Sequence, residues 1–456
     1  MKKYFFRLFL FILIIFNIII IYNYYKKIFS NEQIIIKSKS EEIINNELLS
    51  YLYETQIDSG IYQTVSDSNW DLTNYRFNSN LSKCQNGSKL SYNEITKQVT
   101  LQGNKADKCY LYFDQVSLIK FSDYIKSLYT SDGANGIYFH DGVGTYTNAD
   151  LEAGDNSYRF SGANPHNYVC FGTDEMVCPA ENIYRIIGVF NNNGVEQVKL
   201  IKWDYATEDM LGKETQAYPV TNPDIRFYKG ALTNIPTYYW CGSSSTAMTN
   251  IWSESTLNTI ALNTNYLDYL DKNNSKWRSM IATTTWQQSG LPATNGYNES
   301  TAKLAYDYEL GANKINEAFE IDCDGSRAGT AMCTYSATIN AKIGLIYLSE
   351  YYYSASPTYW SYKGTDSSCS YISSSCETDY RTAVFSNWMY MGRSDLAISR
   401  NSTSVVDYLN ISMYGFIGNS NVWNYGAIRP TFNLENEVVF ISGDGSSLIS
   451  PYRISI

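Results

Sequence analysis

An apolar run near the N-terminus is the first strong pattern in the chain. Leu8–Ile21 is interrupted only by Asn17, and aromatic and basic side chains flank the run on both sides. The stretch Tyr4–Tyr25 has 22 residues, which is enough for a helix to cross about 30 Å of hydrocarbon with tyrosines at both interfaces. We therefore expect an N-terminal membrane anchor in residues 1–27. The alternative is a cleaved signal peptide, but no small-x-small cleavage site follows the run.

Beyond the anchor, the spacing of apolar residues changes twice. Residues 28–61 are polar overall, but Glu41–Tyr53 repeats apolar side chains at helical spacing, which predicts a stalk with a short helix. Residues 62–120 alternate short apolar runs with turn residues, which predicts a small β module.

Residues 121–456 combine strand and helix patterns, which indicates an α+β ectodomain. Weak alternation in Ile183–Phe190 and Gln197–Trp203 is typical of strands that are buried on both faces. Helices are predicted near Asn250–Leu270 and Ser275–Trp286, and the first of these has an apolar face. The C-terminal sequence predicts short strands joined by loops rich in Ser, Asn and Gly.

The composition argues against several partners and sites. The 456 residues carry 35 Lys+Arg against 45 Asp+Glu, a formal net charge of −10, whereas binding to nucleic-acid phosphates needs a basic face. The chain has two histidines, His140 and His166, which leaves little room for a histidine-based metal or proton-transfer site. No nucleic-acid partner, metal or cofactor is therefore predicted.

Nine cysteines bear on the compartment. Cys241 is interpreted as a buried free thiol, an alternative disulfide partner, or an intermolecular or catalytic thiol. Local spacing pairs the other eight. The predicted disulfides are Cys84–Cys109, Cys170–Cys178, Cys323–Cys333 and Cys369–Cys376. Because such bridges persist in oxidising compartments, we expect a single-pass cell-membrane protein with its C-terminal ectodomain outside the cell.

An aromatic run is the strongest candidate for a binding surface. Tyr351, Tyr353, Tyr359 and Trp360 lie within ten residues of sequence. Exposed Tyr and Trp side chains provide large contact areas at low entropic cost. These four are the candidate ligand-binding residues, and the alternative is that their rings pack beneath loops.

Catalytic motifs are weaker. His140-Asp141-Gly142 has the composition of half a hydrolase dyad, but no Gly-x-Ser-x-Gly elbow accompanies it. Carboxylate pairs such as Glu208/Asp209 have no distinguishing context. No catalytic residue is predicted.

Longer motifs in the large region resemble a known family. They include Tyr184-Arg-Ile-Ile-Gly-Val-Phe, Lys342-Ile-Gly-Leu-Ile-Tyr and Ile428-Arg-Pro-Thr-Phe-Asn-Leu. Most of the region 120–456 resembles an uncharacterised family of exported surface proteins from low-GC Gram-positive bacteria. The C-terminal part more distantly resembles C-type-lectin-like domains, including the formylglycine-generating-enzyme group. Trp388 and Gly426-Ala-Ile-Arg429-Pro430 would match the core strands of that fold.

These patterns favour a membrane-anchored extracellular recognition or adhesion protein that binds a surface protein or glycan. One alternative is a structural component of the cell envelope or of a surface appendage. The other is an enzyme acting on cell-wall or host polymers.

Overall fold

A computed structural model gives the fold of the chain. It describes residues 34–37, 49–65, 72, 74–93, 98–103, 107–131, 133–144, 149–175, 177–212, 227–229, 236–239, 250–272, 274–288, 290–291, 299–311, 338–365, 379–401, 407–422 and 424–456. The predicted anchor in residues 4–25 lies outside these ranges, as do Cys241, Cys323, Cys333, Cys369 and Cys376.

The chain divides into two compact units. The first comprises Met1–Leu118 with Asp174–Met176, and the second comprises Ile119–Thr173 with Val177–Ile456. The strands of the first unit are β1 Ile34–Lys37, β2 Leu49–Glu54, β3 Tyr62–Thr64, β4 Tyr75–Phe77, β5 Lys83–Cys84, β6 Lys89–Asn93, β7 Gln98–Gln102 and β8 Cys109–Gln115.

The first unit is organised around β8. This strand pairs in parallel with β2 and antiparallel with β4 and β5, and a second sheet has the order β1-β7-β6. Cys84 and Cys109 lie opposite each other on β5 and β8 and form a disulfide, which confirms that predicted pair. The helix predicted for Glu41–Tyr53 is wrong from residue 49 onward, because Leu49 and Tyr51 alternate into the core with the period of a strand.

Strands also dominate the second unit. They are β9 Ile137–His140, β10 Ser157–Phe160, β11 Tyr168–Cys170, β12 Ile183–Asn192, β13 Val195–Lys202, β14 Phe227–Lys229, β15 Pro236–Tyr239, β16 Thr284–Gln287, β17 Gly290–Leu291, β18 Thr338–Ala341, β19 Ile343–Gly344, β20 Asp395–Asn401, β21 Asp407–Ile411, β22 Ile417–Asn421, β23 Tyr425–Gly426, β24 Thr431–Asn433, β25 Val439–Ser442 and β26 Arg453–Ser455.

The helices of this unit are short. The α-helices are α1 Phe121–Ser127, α2 Glu208–Leu211, α3 Leu267–Asp271, α4 Lys276–Ser279, α5 Ala302–Glu309 and α6 Leu348–Tyr353, and a π-helical segment covers Leu257–Tyr266. Short 3₁₀ turns cover Ala149–Leu151, Ala180–Asn182, Trp252–Glu254, Pro357–Tyr359 and Tyr380–Ser386.

A seven-stranded antiparallel sheet forms the centre of the second unit. Its order is β19-β24-β13-β12-β10-β9, with β11 also paired to β12. The buried strands predicted at Ile183–Phe190 and Gln197–Trp203 are confirmed as β12 and β13. Asn193 and Gly194 join them with positive φ angles of 55° and 87°, as a tight Asn-Gly hairpin turn requires. The predicted disulfide Cys170–Cys178 is also present in this unit.

The predicted fold class needs correction. Within the described part of the chain, no helix combines the length and apolar character needed to cross a membrane. The C-type-lectin-like domain was expected to contain two mid-domain helices. However, the first is largely π-helical, and Ser275–Trp286 has only the four helical residues of α4 before it becomes β16. Thr284, Thr285 and Trp286 are β-branched or aromatic residues, which pair readily as a strand and end the helical pattern.

Candidate functional site

The two faces of the central sheet carry different side chains, although both are buried. Val198, Leu200 and Phe432 lie on one face, and Phe432 packs against Phe171 and Tyr184 with ring centres 5.0 and 5.5 Å apart. We call this side of the sheet the apolar face. It belongs to the main hydrophobic core.

The opposite face carries a line of polar residues across four adjacent strands. Arg159 on β10 pairs with Gly188 on β12, Gly188 pairs with Lys199 on β13, and Lys199 pairs with Asn433 on β24. Directly opposed residues of antiparallel strands share a face, so these four form one row, here called the polar row. The side chains of Arg159, Lys199 and Asn433 are all buried.

Two glycines make room for this arrangement. A Cβ on Gly188 would lie 2.3 Å from the Tyr158 carbonyl oxygen, so the close spacing of β10 and β12 requires glycine there. A Cβ on Gly344 would lie 2.5 Å from the Trp286 ring, which therefore rests directly on the β19 backbone. The close approach at Gly344 brings Trp286 over the sheet beside Lys199 of the polar row.

Lys199 is held by an acid and two aromatic rings. Its Nζ donates to Glu350 Oε1 at 2.5 Å and lies 4.8 and 4.7 Å from the ring centres of Trp286 and Tyr347. Burial lowers the pKa of Lys199 below its usual range, although the Glu350 charge opposes this shift. Glu350 Oε2 also accepts from the Tyr347 backbone N–H at the start of α6. An uncompensated buried charge is costly, so these contacts keep Lys199 in place.

Arg159 anchors a second charged cluster. Its Nη2 donates to Asp155 Oδ2 at 2.6 Å, and its Nε donates to Ser157 Oγ at 2.7 Å. Its guanidinium also lies over the rings of Phe190 and Tyr353. Burial alone would raise the pKa of Asp155, but the Arg159 charge and the Ser157 hydrogen bonds outweigh it and lower that pKa.

A cavity lies over the polar row. Its volume is about 210 Å³, and the lining includes charged, amide and aromatic side chains. We call this space the inner pocket. Its lining residues are Asp155, Phe190, Asn191, Asn192, Lys199, Thr284, Thr285, Trp286, Tyr306, Leu310, Tyr347, Glu350 and Asn433.

A wider depression of about 570 Å³ continues from the inner pocket. The two share five lining residues, namely Asn191, Asn192, Thr284, Thr285 and Leu310. We call this wider space the outer cleft. The other residues lining it are Asn193, Val195, Gln197, Thr283, Gln287, Glu435, Asn436 and Glu437. Amide and hydroxyl groups therefore dominate the entrance, which also carries the two carboxylates of Glu435 and Glu437, and the aromatic rings lie deeper.

The carboxylates of the inner pocket are engaged within the protein. Asp155 accepts from Arg159 and Ser157, and Glu350 accepts from Lys199 and Tyr347. A general acid needs a pKa raised toward the working pH, whereas the pKa of Asp155 is lowered. The arrangement therefore suits binding better than proton transfer. Among the described residues, no cluster of His, Cys, Asp and Glu is placed to hold a metal ion.

His140 is a buried packing residue beside this region. Its Nδ1 accepts from the Ala153 backbone N–H at 3.2 Å, and its ring packs against Tyr353 and Trp360. Burial, reinforced by the Arg159 charge, lowers the pKa of His140 to about 3. The ring is therefore neutral near pH 7, and within the described ranges it is not paired with a nucleophile.

The four aromatic residues proposed from sequence as an exposed binding surface are largely buried. Tyr351, Tyr353 and Trp360 are at most 1 % exposed, so the premise that they are exposed is wrong. Their polar atoms donate to the backbone carbonyls of Gly415, Leu151 and Ala355. Tyr359 is half-buried and packs edge-on against Tyr362. These rings therefore fit the alternative given above, in which they pack inside the protein.

Sequence reasoning missed the residues of the inner pocket, although one signal was present. Lys199 interrupts a strand that the pattern already predicts to be buried on both faces. A buried lysine needs an acidic partner, so this position signals a polar site within the core. The sequence offers no comparable signal for its partner Glu350, which lies 151 residues later.

Comparison with known proteins adds no relative: no family model, curated protein or solved structure matches the chain.

Proposed function

We propose that this chain is an exported recognition or adhesion protein that binds a glycan in the outer cleft and inner pocket. The main support is the depression formed by these two cavities. Amide and hydroxyl groups line its entrance, and aromatic and charged side chains line its floor. Sugars present many hydroxyl groups that both donate and accept hydrogen bonds, and amide side chains also do both. The apolar faces of sugar rings pack against aromatic rings, which Trp286 and Tyr347 supply here.

The size of the depression supports this class of ligand. Small-molecule sites are typically about 300–1,000 Å³, and the outer cleft, at about 570 Å³, lies within that range. The two disulfides support export because they persist in oxidising compartments. Within the inner pocket, the engagement of Asp155 and Glu350 by neighbouring side chains favours binding over proton transfer.

The test is a glycan array probed with the purified protein under non-reducing conditions. Thr283 is exposed and lines the outer cleft, so Thr283→Trp should fill the cleft and reduce binding at least tenfold. The matched control is Thr207→Trp, because Thr207 is exposed, lies before α2 and lines neither cavity.

Binding that is lost in Thr283→Trp and kept in Thr207→Trp would support the proposal. Equal binding by both variants would move the glycan site away from the cleft. An array on which no glycan is retained would overturn the glycan function itself.

A further inference from the structure

One buried acceptor in the inner pocket has no partner among the residues that the structure describes. Asn433 is 6 % exposed, and its Nδ2 donates to Thr284 Oγ1 at 3.2 Å, but its Oδ1 accepts no hydrogen bond from the described part of the chain. Leaving a buried acceptor unpaired costs about 1–3 kcal/mol, so such atoms in native proteins call for an explanation. Because Asn433 lines the pocket, a ligand donor bound there would satisfy this oxygen.

A donor lies beside this acceptor in the polar row. Lys199 is the cross-strand neighbour of Asn433, and an ammonium group has three N–H donors. Among the described residues, Lys199 Nζ donates one hydrogen bond, to Glu350. The floor of the pocket therefore offers an N–H donor and a carbonyl acceptor on adjacent strands.

The third feature of the pocket is its apolar wall. Phe190, Trp286 and Tyr347 contribute rings to the lining, and Trp286 is fixed in place by its Nε1–H, which donates to the Ala341 carbonyl at 3.1 Å. At about 210 Å³ the space is below the range of about 300–1,000 Å³ typical of complete ligand sites. It therefore suits one small substituent of a ligand whose remainder lies in the outer cleft.

We propose that the inner pocket binds the 2-acetamido group of an N-acetylhexosamine. The amide N–H donates to Asn433 Oδ1, the amide carbonyl accepts from Lys199 Nζ, and the methyl group packs against Trp286. This assignment rests on the proposed glycan function and specifies the sugar class. A 2-hydroxyl lacks the methyl group and has its donor and acceptor on one oxygen, whereas the acetamido group has them on separate atoms. A 2-ammonium group has no acceptor and meets the positive charge of Lys199.

Three matched ligands test the assignment by isothermal titration calorimetry with the full chain. They are the β-1,4-linked tetramers of N-acetylglucosamine, glucose and glucosamine, which differ only at the 2-position. Because only the acetamido group combines a methyl group with an N–H donor and a carbonyl acceptor on separate atoms, we expect the first to bind about tenfold more tightly than the other two.

Two variants locate the contact. Asn433→Leu removes the unpaired acceptor, so the preference for the acetylated tetramer should fall by roughly tenfold. Asn410→Leu is the matched control, because Asn410 is also buried, donates from Nδ2 to Ser394 Oγ and leaves Oδ1 unpaired, but lines neither cavity. Circular dichroism and thermal unfolding confirm that both variants are folded.

The outcomes separate this inference from the function on which it rests. Preference for the acetylated tetramer that is lost in Asn433→Leu and kept in Asn410→Leu supports the assignment. Equal affinity for all three tetramers overturns it but leaves glycan recognition intact. Failure of all three tetramers also overturns it, and the glycan array then decides whether the wider function survives.

Discussion

The apolar face and the polar row use the same strands but different means of burial. Leu200 and Lys199 are neighbours on β13, and both are buried. Leu200 needs only apolar surroundings, since the hydrophobic effect is not directional. Lys199 needs an acid at hydrogen-bonding distance, which Glu350 provides from α6. Burial alone therefore does not define the core of this protein. The apolar face contributes stability, whereas the polar row holds charged side chains in fixed positions beside the inner pocket.

Removing the charge of Lys199 should have the largest effect on the stability of the polar row. Lys199→Met leaves Glu350 buried without its cation, so the free energy of unfolding should fall by about 3–5 kcal/mol. Adding Glu350→Gln removes the unpaired charge and keeps an acceptor for the Tyr347 N–H, so the double variant should recover most of this loss. Urea denaturation of the two variants measures both effects. A loss below 1 kcal/mol for Lys199→Met would show that the pair is not buried in solution.

Truncating the apolar face should separate stability from binding. Leu200→Ala leaves a cavity at a fully buried position, so the free energy of unfolding should fall by about 2–5 kcal/mol. Because Leu200 lines neither cavity, the folded variant should bind the N-acetylglucosamine tetramer as tightly as the unaltered protein. Denaturation and calorimetry on the same preparation check this. A loss of affinity as large as that of Asn433→Leu would mean that the two faces are coupled.

Mild acid should lower the stability of the protein through protonation of His140 in the unfolded chain. Its pKa is about 3 in the fold, against an ordinary value of 6.5, so the unfolded chain binds a proton between these pH values and the folded chain does not. Stability therefore falls as the pH drops through 6.5, by about 1 kcal/mol at pH 5.5. Burial dominates the shift, Arg159 adds to it, and Asp155 opposes it.

The matched variant for this pH effect is His140→Asn, whose side-chain oxygen still accepts from the Ala153 N–H but does not titrate. Its stability will be lower at every pH because it lacks the ring contacts to Tyr353 and Trp360. The loss between pH 7 and pH 5.5 should shrink by about 1 kcal/mol. An unchanged pH dependence in this variant would assign the acid sensitivity to other groups.

Local pattern was enough for part of the fold. The strands β12 and β13 and their Asn-Gly turn follow from short-range sequence, because a hairpin needs only adjacent residues. The disulfides Cys84–Cys109 and Cys170–Cys178 also join cysteines that are close in sequence. The expected helix at Ser275–Trp286 failed because β16 pairs with β18, whose residues lie more than 50 positions later. Pairing across that distance overrides local helical spacing.

The sequence by itself determined the strand-rich core of the second unit, its tight hairpin and the position of a charged residue within a buried strand. Only the tertiary structure decided which residues meet that charge. Lys199, Asn433 and Glu350 come from distant parts of the chain and are brought together by strand order and by the packing of α6. It also decided that Tyr351, Tyr353 and Trp360 are buried, because aromatic residues suit a core and a binding surface equally well, and only their neighbours in space distinguish the two.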